Sequence, residues 1–192
     1  PTANVTVGVA SNDASEATVS LASLTFTSAS WATAQTVTVT GVFDFLIDGN
    51  MAYSVITGLA SSSDTPYNGL NPIDVSLINV DNSFPAITVS PTSGLITTEA
   101  GGTAQFSVVL STLPFFDVII PVSSSDTTEG TVSVSSLTFT SANWNVPQVV
   151  TVTGVNDLVN DGNAAYTVIL GAASSFDFFY SGLNAPDVSL TN

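Results

Sequence analysis

The sequence contains no lysine, arginine, histidine or cysteine. Nucleic-acid binding depends on Lys and Arg side chains that neutralise phosphates, so this class of function is excluded. Attraction to anionic membrane surfaces is excluded for the same reason. Zinc, haem and iron–sulfur sites take His or Cys ligands, and a Ser-His-Asp or Cys-His catalytic arrangement needs a histidine. Oxygen atoms are therefore the ligands that the chain can offer to a metal ion.

Long apolar runs and strong helix formers are also scarce in the sequence. No uninterrupted apolar stretch approaches the ~20 residues of a membrane-spanning helix. The abundant residues are Ser, Thr, Val and Gly, a mixture that favours strands and turns. The composition therefore predicts an all-β protein.

The acidic residues have no cationic side chain to pair with. The chain has 15 Asp and Glu residues and a formal net charge of −15. Neutralisation has to come from cations in solution, and clustered carboxylates favour hard divalent ions, with Ca²⁺ first among them. We therefore expect Ca²⁺ as the cofactor.

A long internal repeat organises the chain. The segment Ser23–Trp31 (SLTFTSASW) recurs 113 positions later as Ser136–Trp144 (SLTFTSANW). At this spacing residues 1–79 align with 114–192 without a gap, and more than half of the positions are identical. A repeat of ~110 residues has the size of one β-sandwich domain. We expect repeat 1 with its linker to occupy 1–82 and repeat 2 to occupy 83–192.

Short alternating, turn-bounded segments predict about seven strands in a complete repeat. In repeat 2 they cover 86–90, 102–111, 117–123, 130–134, 147–155, 163–171 and 187–192, with 136–140 continuing or following the fourth. We predict tandem immunoglobulin-like (Greek-key) β-sandwiches. The large apolar side chains shared by the two copies are expected to form the cores: Leu24, Phe26, Trp31 and Tyr53 with Leu137, Phe139, Trp144 and Tyr166.

Repeat 1 lacks the counterpart of residues 82–113, which include the first two strands. A sandwich without its second strand has an open core. Either the chain is a slice of a longer repeating protein, or a neighbouring molecule completes the fold by strand addition. The expected partners are accordingly copies of the chain itself or further repeats of the same chain.

The segments Pro121–Trp144 and Pro147–Val168, with TTEAGGTAQFSVVLS at 97–111, carry a family resemblance. They resemble the Calx-beta-like and cadherin-like repeats of large bacterial surface proteins. This resemblance covers essentially the whole chain. It implies extracellular stalks, adhesins or matrix proteins, often stiffened by calcium, and it does not imply catalysis.

Ten acids are expected to converge at the poles of the sandwiches, because the loops that carry them meet there in an immunoglobulin-like topology. They are Asp13, Glu16, Asp44, Asp48, Asp81, Glu99, Asp126, Glu129, Asp157 and Asp161. These acids are the predicted calcium ligands. The alternative is that Asp-Gly pairs are ordinary turn residues. Four further acids, Asp64, Asp74, Asp177 and Asp187, lie toward the opposite pole and are expected to be turn or strand-edge residues.

Eight of the eleven phenylalanines fall in loops that the topology places near the junction of the repeats. With Leu46, they form the predicted inter-repeat interface: Phe43, Phe45, Phe84, Phe115, Phe116, Phe176, Phe178 and Phe179. We expect an apolar seal between the repeats. Two alternatives stay open, namely that each Phe packs within its own domain or that the group forms a lateral contact between chains.

These observations favour a structural module of an extracellular fibre, adhesin stalk or biofilm matrix protein at the cell surface. The alternative is a carbohydrate- or ligand-binding module that uses Trp31, Trp144, Tyr67 or Tyr180 as its platform. Paired carboxylates also serve glycosidases, but these acids lie in pole loops without a cleft, so we expect no enzyme and no catalytic residues. Glycans are a further expected partner, since Asn4-Val5-Thr6 is an N-glycosylation sequon.

Overall fold

The computed structural model of the protein describes residues 1–157, 159 and 162–192. These residues form strands and turns and contain no helix, which confirms the all-β class. Among them there is accordingly no helix that could cross a membrane. The chain divides into two compact units. The first comprises Pro1–Asp44 and Asp48–Asn82, and the second comprises Phe45–Ile47 and Ser83–Asn192.

Six strands build the first unit. They are β1 (Val5–Ser11), β2 (Ala17–Val19), β3 (Ser23–Phe26), β4 (Val39–Gly41), β5 (Met51–Thr57) and β6 (Val75–Asn79). Four of them form one antiparallel sheet in the order β3-β1-β5-β6, and β2 pairs with β4 in a second sheet. Buried side chains on β1 and β5 alternate with exposed ones, as expected for a sheet with one covered face.

Nine strands build the second unit. They are β7 (Ile87–Ser90), β8 (Leu95–Ile96), β9 (Thr103–Leu110), β10 (Val118–Ser124), β11 (Gly130–Val132), β12 (Ser136–Phe139), β13 (Gln148–Gly154), β14 (Ala165–Leu170) and β15 (Val188–Thr191). One sheet has the order β12-β10-β14-β15-β8 and the other β11-β13-β9-β7. All pairs are antiparallel except β8 with β15. Side chains from both sheets share one core, so the immunoglobulin-like sandwich is confirmed.

The predicted strands of repeat 2 all form, with ends that differ by one or two residues. The segment SLTFT forms a strand of its own, β12, in the sheet opposite to β11. The sequence did not predict β8, because two residues are too few to show an alternating pattern. Strands β1 to β6 correspond to β10 to β15 and keep the same order in the sheet.

The cores of the two units differ in how completely they are covered. In the second unit Leu137, Phe139 and Tyr166 are buried and Trp144 packs against them, as predicted. In the first unit Tyr53 is buried, but Leu24 and Phe26 are only half-buried. The prediction that Trp31 is a core residue is wrong, since 59% of this side chain is exposed. The reason is that β7 to β9, which complete the second core, have no counterpart among residues 1–82.

Candidate functional site

Three carboxylates of the first unit lie together at one end of its sheets. One carboxylate oxygen from each of Glu16, Asp44 and Asp48 lies within 4.8 Å of those from the other two. Glu16 directly precedes β2, and the two aspartates lie in the loop from β4 to β5. The pairing of β2 with β4 places Glu16 beside that loop. The structure therefore brings together three of the predicted ligands, from two segments that are separate in sequence.

An asparagine at the end of β6 fixes Glu16. The Asn79 side-chain nitrogen donates to Glu16 Oε2 at 3.1 Å and to the Val42 carbonyl at 2.9 Å. The Val42 N–H in turn donates to the Glu16 backbone carbonyl at 2.9 Å. Only 7% of Glu16 is exposed. A carboxylate this deeply buried loses solvation, so it favours a partner that restores favourable charge interactions.

A tight turn holds the other side of the cluster. Gly49 has φ of +83°, a left-handed conformation that glycine adopts without steric cost. Its N–H donates to Asp81 Oδ2 at 3.0 Å, and the Asp81 N–H donates to Asn50 Oδ1 at 3.0 Å. Asp81 follows β6, so the Asp48-Gly49 turn is tied to a third segment of the chain. The structure thus places Asp81 beside the turn that carries the cluster.

The chemistry of this cluster is that of an oxygen-lined cation site. The three carboxylates repel one another, and the chain has no Lys, Arg or His to neutralise them. Carboxylates accept hydrogen bonds and bind hard cations, and Ca²⁺ takes six to eight oxygen ligands in flexible geometry. The Asn50 side-chain amide oxygen, which accepts from the Asp81 N–H, is a further oxygen of the kind that Ca²⁺ binds. The residues present therefore fit a hard divalent cation.

The second unit repeats the framework around the corresponding glutamate. The Asn192 side-chain nitrogen donates to Glu129 Oε2 at 3.2 Å and to the Val155 carbonyl at 2.9 Å. Val155 N–H donates to the Glu129 carbonyl at 3.0 Å, and Asp157 Oδ1 accepts from Val159 N–H at 2.8 Å. The predicted ligand Asp161 lies outside the described residues. A calcium site in this unit stays a prediction.

The loop from β8 to β9 carries the predicted ligand Glu99, which is exposed. This loop lines a shallow groove together with Gly162, Asn163 and Asn192. Thr97, just before Glu99, is buried and its hydroxyl lies 3.0 Å from Asn192 Oδ1. The loop therefore reaches the end of β15, as the predicted convergence of loops requires. Glu99 itself joins no cluster of three acids within the described part of the chain.

Asp13 and Asp126 are used in local turns. Asp13 Oδ1 accepts from the Ser15 N–H at 3.0 Å and from the Ser15 hydroxyl, and Asp126 Oδ1 does the same with Thr128. The side-chain hydroxyl bond, followed by the backbone bond, lowers the pKa of each carboxyl below its ordinary value. The structure does not bring Asp13 into the cluster of Glu16, and Asp126 joins no cluster of three acids among the described residues.

We expect Ser15→Ala to raise the pKa of Asp13 and Thr128→Ala to raise the pKa of Asp126, because each change removes the bond that lowers it. A lowered pKa in the folded state adds stability above the unfolded pKa and loses it as the pH falls through the folded pKa. NMR titration of the side-chain carboxyl resonances measures both values. Each variant serves as the control for the other residue, and a pKa that stays in place would contradict this account.

The acids at the opposite pole serve as acceptors for backbone N–H groups. Asp177 is buried, and its carboxylate accepts from Phe115 N–H at 2.8 Å and Phe179 N–H at 2.9 Å. Its counterpart Asp64 accepts from Thr2 N–H at 2.6 Å. Asp74 and Asp187 likewise accept from the backbone N–H groups of Thr57 and Leu170. These four acids hold loops and strand edges in place, as the sequence predicted.

The predicted interface residues are described within the compact unit to which each belongs. Phe45 belongs to the second unit, where its carbonyl accepts from Leu113 N–H at 3.0 Å and its ring lies 5.5 Å from that of Trp144. Leu46, also in this unit, is half-buried, and Phe43 in the first unit is exposed. Two further ring pairs lie in the second unit: the ring centroids of Phe116 and Phe176 are 6.3 Å apart, and those of Phe178 and Phe179 are 5.9 Å apart.

Several of these rings face solvent. Phe84, Phe115 and Phe116 are exposed, and Phe176 and Phe178 are 91% and 88% exposed. The apolar seal between repeats stays a prediction. The two asparagines that fix Glu16 and Glu129 were missed by sequence reasoning, although both end their repeats at the same aligned position. An amide side chain carries no charge, so neither asparagine stands out as a candidate site residue in the sequence.

Comparisons with known proteins give similarity in structure at low sequence identity. No family model matches the chain, and no curated protein does. "Crystal structure of CBD12 from CALX1.2" matches at 10% identity and a TM-score of 0.49, over 98% of this chain and 87% of that one. "Crystal structure of calcium binding domain CBD12 of CALX1.1" matches at 12% identity and a TM-score of 0.44, over 89% of this chain and 68% of that one. "Structure of surface layer protein SbsC, domains 1-6" matches at 19% identity and a TM-score of 0.35, over 96% of this chain and 19% of that one.

Proposed function

We propose that the chain is a calcium-binding structural repeat module of an extracellular fibre, adhesin stalk or matrix protein. The observation that carries the proposal is the cluster of Glu16, Asp44 and Asp48 in a chain without any cationic side chain. Such a cluster is unfavourable by itself and becomes favourable when a divalent cation neutralises it. Binding of the cation, and not a reaction, is what this arrangement of oxygens supports.

Calcium would act here as a cross-link between segments. Glu16 leads into β2, Asp44 and Asp48 lie between β4 and β5, and Asp81 follows β6 and is bonded to the Asp48-Gly49 turn. An ion held by the cluster ties these segments to one another, which stiffens one end of the unit. A repeat that carries tension gains from this, because loops are the most mobile parts of a sandwich.

An extracellular setting suits a cluster of carboxylates in a strongly negative chain. Extracellular calcium modules bind with dissociation constants of about 10⁻⁴–10⁻³ M. A net charge of −15 keeps the chain soluble and raises the local concentration of cations around it. We propose that the second unit holds an equivalent site built from Glu129, Asp157 and Asp161, with Asp13, Asp126 and Glu99 contributing to the negative potential around the two poles.

Calcium is expected to raise the melting temperature of the first unit. At a free concentration about 100 times the dissociation constant, binding stabilises the folded state by about 2.7 kcal/mol. For a domain of this size that is a shift of roughly 10–20 °C. The unit can be followed alone, because each repeat has one tryptophan and Trp144→Phe leaves Trp31 as the only reporter. A melting temperature that does not respond to Ca²⁺ contradicts the proposal.

Two variants locate the site. Asp48→Asn is expected to remove most of the calcium-dependent shift, and in a chelator it should slightly stabilise the unit, because it relieves repulsion within the cluster. Asp117→Asn makes the same change in net charge at an exposed residue outside the cluster and should leave the shift unchanged. If both variants lost the same part of the calcium-dependent shift in melting temperature, the shift would be a general effect of charge and not of a binding site.

A further inference from the structure

The first unit has an apolar cavity of about 280 Å³ that opens on its surface. Its lining includes Val5, Val7, Phe26, Trp31, Tyr67 and Leu70. The remaining lining residues are Pro1, Ala60 and Pro72, so the polar side-chain groups around it are limited to the Tyr67 hydroxyl and the Trp31 indole N–H. Apolar surface of this kind favours an apolar occupant, because burying it away from water is stabilising.

The second unit shows what occupies the same place in a complete repeat. The counterparts of Val5, Phe26 and Tyr67 are Val118, Phe139 and Tyr180, and all three are fully buried. Residues at the end of β9 cover them. Leu110 N–H donates to the Trp144 carbonyl at 3.1 Å, and Thr112 N–H donates to the Tyr180 hydroxyl at 3.0 Å. Tyr67, by contrast, is 37% exposed.

The edge of β4 that faces away from β2 has no strand beside it among the described residues, whereas the corresponding edge of β13 is paired with β9. In the second unit β13 pairs with β9 over six residue pairs, from Gln148 with Val108 to Thr153 with Thr103. In the first unit β4 is limited to Val39–Gly41, and residues 35–38, which correspond to 148–151, are not in a strand. The extension of β13 therefore accompanies its pairing with β9.

Backbone directions show which side of this segment is available. Thr38 N–H donates to the Ser20 hydroxyl at 2.9 Å, and the Thr38 carbonyl accepts from Ser20 N–H at 2.9 Å. Because backbone groups alternate in direction along an extended segment, those of Val37 and Val39 point to the opposite side. In the second unit Thr151 bonds to Ser133 in the same way. Val150 and Val152 face β9, where they are paired with Phe106 and Ala104.

A second edge of the first unit is open as well. In the complete repeat, β15 pairs in parallel with β8, through Leu190 with Leu95 and Thr191 with Ile96. Val188 at the start of β15 is fully buried, whereas its counterpart Val75 on β6 is 53% exposed. One chain segment, β7 to β9, thus covers in the second unit the cavity and both edges that are open in the first.

We propose that the open face of the first unit binds the β7–β9 segment of a further copy of the repeat. The inserted strand would pair with residues 35–40 in the register that β9 has on β13, so that the counterpart of Phe106 lies opposite Val37. Its apolar side chains would fill the cavity between Phe26 and Tyr67. This interaction is β-strand addition, in which main-chain bonds give affinity and the pockets for alternate side chains give specificity.

The source of the inserted segment follows from comparing the number of faces that can bind it with the number of β7–β9 segments. Among the described residues there are two faces of this kind, one in each unit, and one β7–β9 segment, which already covers the face of the second unit. An exchange between two molecules would close one face and open another, with no net gain in buried surface. A further copy of the repeat is therefore the occupant that lowers the free energy. A sugar is disfavoured, because sites for polar ligands need several placed polar groups and this cavity is lined almost wholly by apolar atoms.

A synthetic peptide of residues 83–113 tests the proposal on the full 192-residue chain. The peptide has no Trp or Tyr, so in the Trp144→Phe chain the emission of Trp31 reports binding. We expect a saturable blue shift of Trp31, a 1:1 complex by native mass spectrometry, and a higher melting temperature of the first unit. Absence of a 1:1 complex overturns the proposal, as does a dimer of the chain alone that already buries Trp31.

Two matched controls make the register and the edge testable. A peptide with Phe106→Asp and Val108→Asp is expected to bind at least about tenfold more weakly, because it would place two carboxylates in the cavity. A chain with Val37→Pro loses the N–H that faces the open edge, and it should fold but fail to bind the original peptide. Equal binding in either control overturns the proposal, and so does a blue shift with soluble oligosaccharides but not with the peptide.

Discussion

Replacing Phe139 by alanine is expected to lower the free energy of unfolding of the second unit by about 3–5 kcal/mol. The ring is fully buried in the core that both sheets share. Its removal loses the transfer free energy of the ring and leaves a cavity that β-sheets on both sides cannot easily close. Urea unfolding followed by Trp144 emission, in a Trp31→Phe background, measures the change.

The repeat supplies a matched control at the aligned position. Phe26→Ala in the first unit should cost only about 1 kcal/mol, since this ring is half-buried and already borders an open cavity. The comparison uses the same residue type at equivalent positions of β3 and β12, so differences in chemistry cancel. Equal losses of unfolding free energy on replacing Phe26 and Phe139 would show that the core of the first unit is closed in solution.

Replacing Val150 by proline is expected to destabilise the second unit by about 2–4 kcal/mol, because two costs add. Val150 lies inside β13, between β9 and β11, and is paired with Phe106. Proline removes a ladder hydrogen bond and leaves a buried carbonyl of β9 without its donor. Because β13 is a central strand, no shift of register can restore the bond without turning its apolar side chains outward.

The same substitution at Val37 should destabilise the first unit much less, because it removes no ladder hydrogen bond and changes only the core contact of a half-buried side chain. The backbone of Val37 points away from Ser20 and toward the open edge, where proline is tolerated. Hydrogen exchange of the neighbouring amides, together with the melting temperature, measures both variants. A loss at Val37 as large as that at Val150 would mean that another strand already pairs with this edge.

The strands could be predicted well because their pattern is local. Alternation of apolar and polar residues, together with the internal repeat, is enough to locate β9, β10, β13 and β14 in the sequence. Convergence of Glu16 with Asp44 and Asp48 followed from loop adjacency in the predicted topology. What could not be predicted was which acids are used locally, since the bond from Ser15 to Asp13 depends on the conformation of one turn.

The exposure of Trp31 marks the other limit of sequence reasoning. Its motif is almost identical to that around Trp144, so pattern alone assigns both residues to a core. Burial, however, is a property of what lies opposite a residue, and for Trp144 that includes the end of β9. The aligned repeats show that repeat 1 has no counterpart of this segment, so the motif around Trp31 does not by itself predict that the residue is buried.

The parallel pairing of β8 with β15 has a mechanical consequence. Because both strands run in the same direction, the chain enters this part of the second unit at one end of the sheet and leaves it at the other. Tension between the two ends therefore acts along the strands and loads the backbone bonds between them, such as the one from Thr97 N–H to the Thr191 carbonyl at 2.9 Å. Such bonds are loaded in shear and must break together, whereas a hairpin pulled at its ends opens one bond at a time.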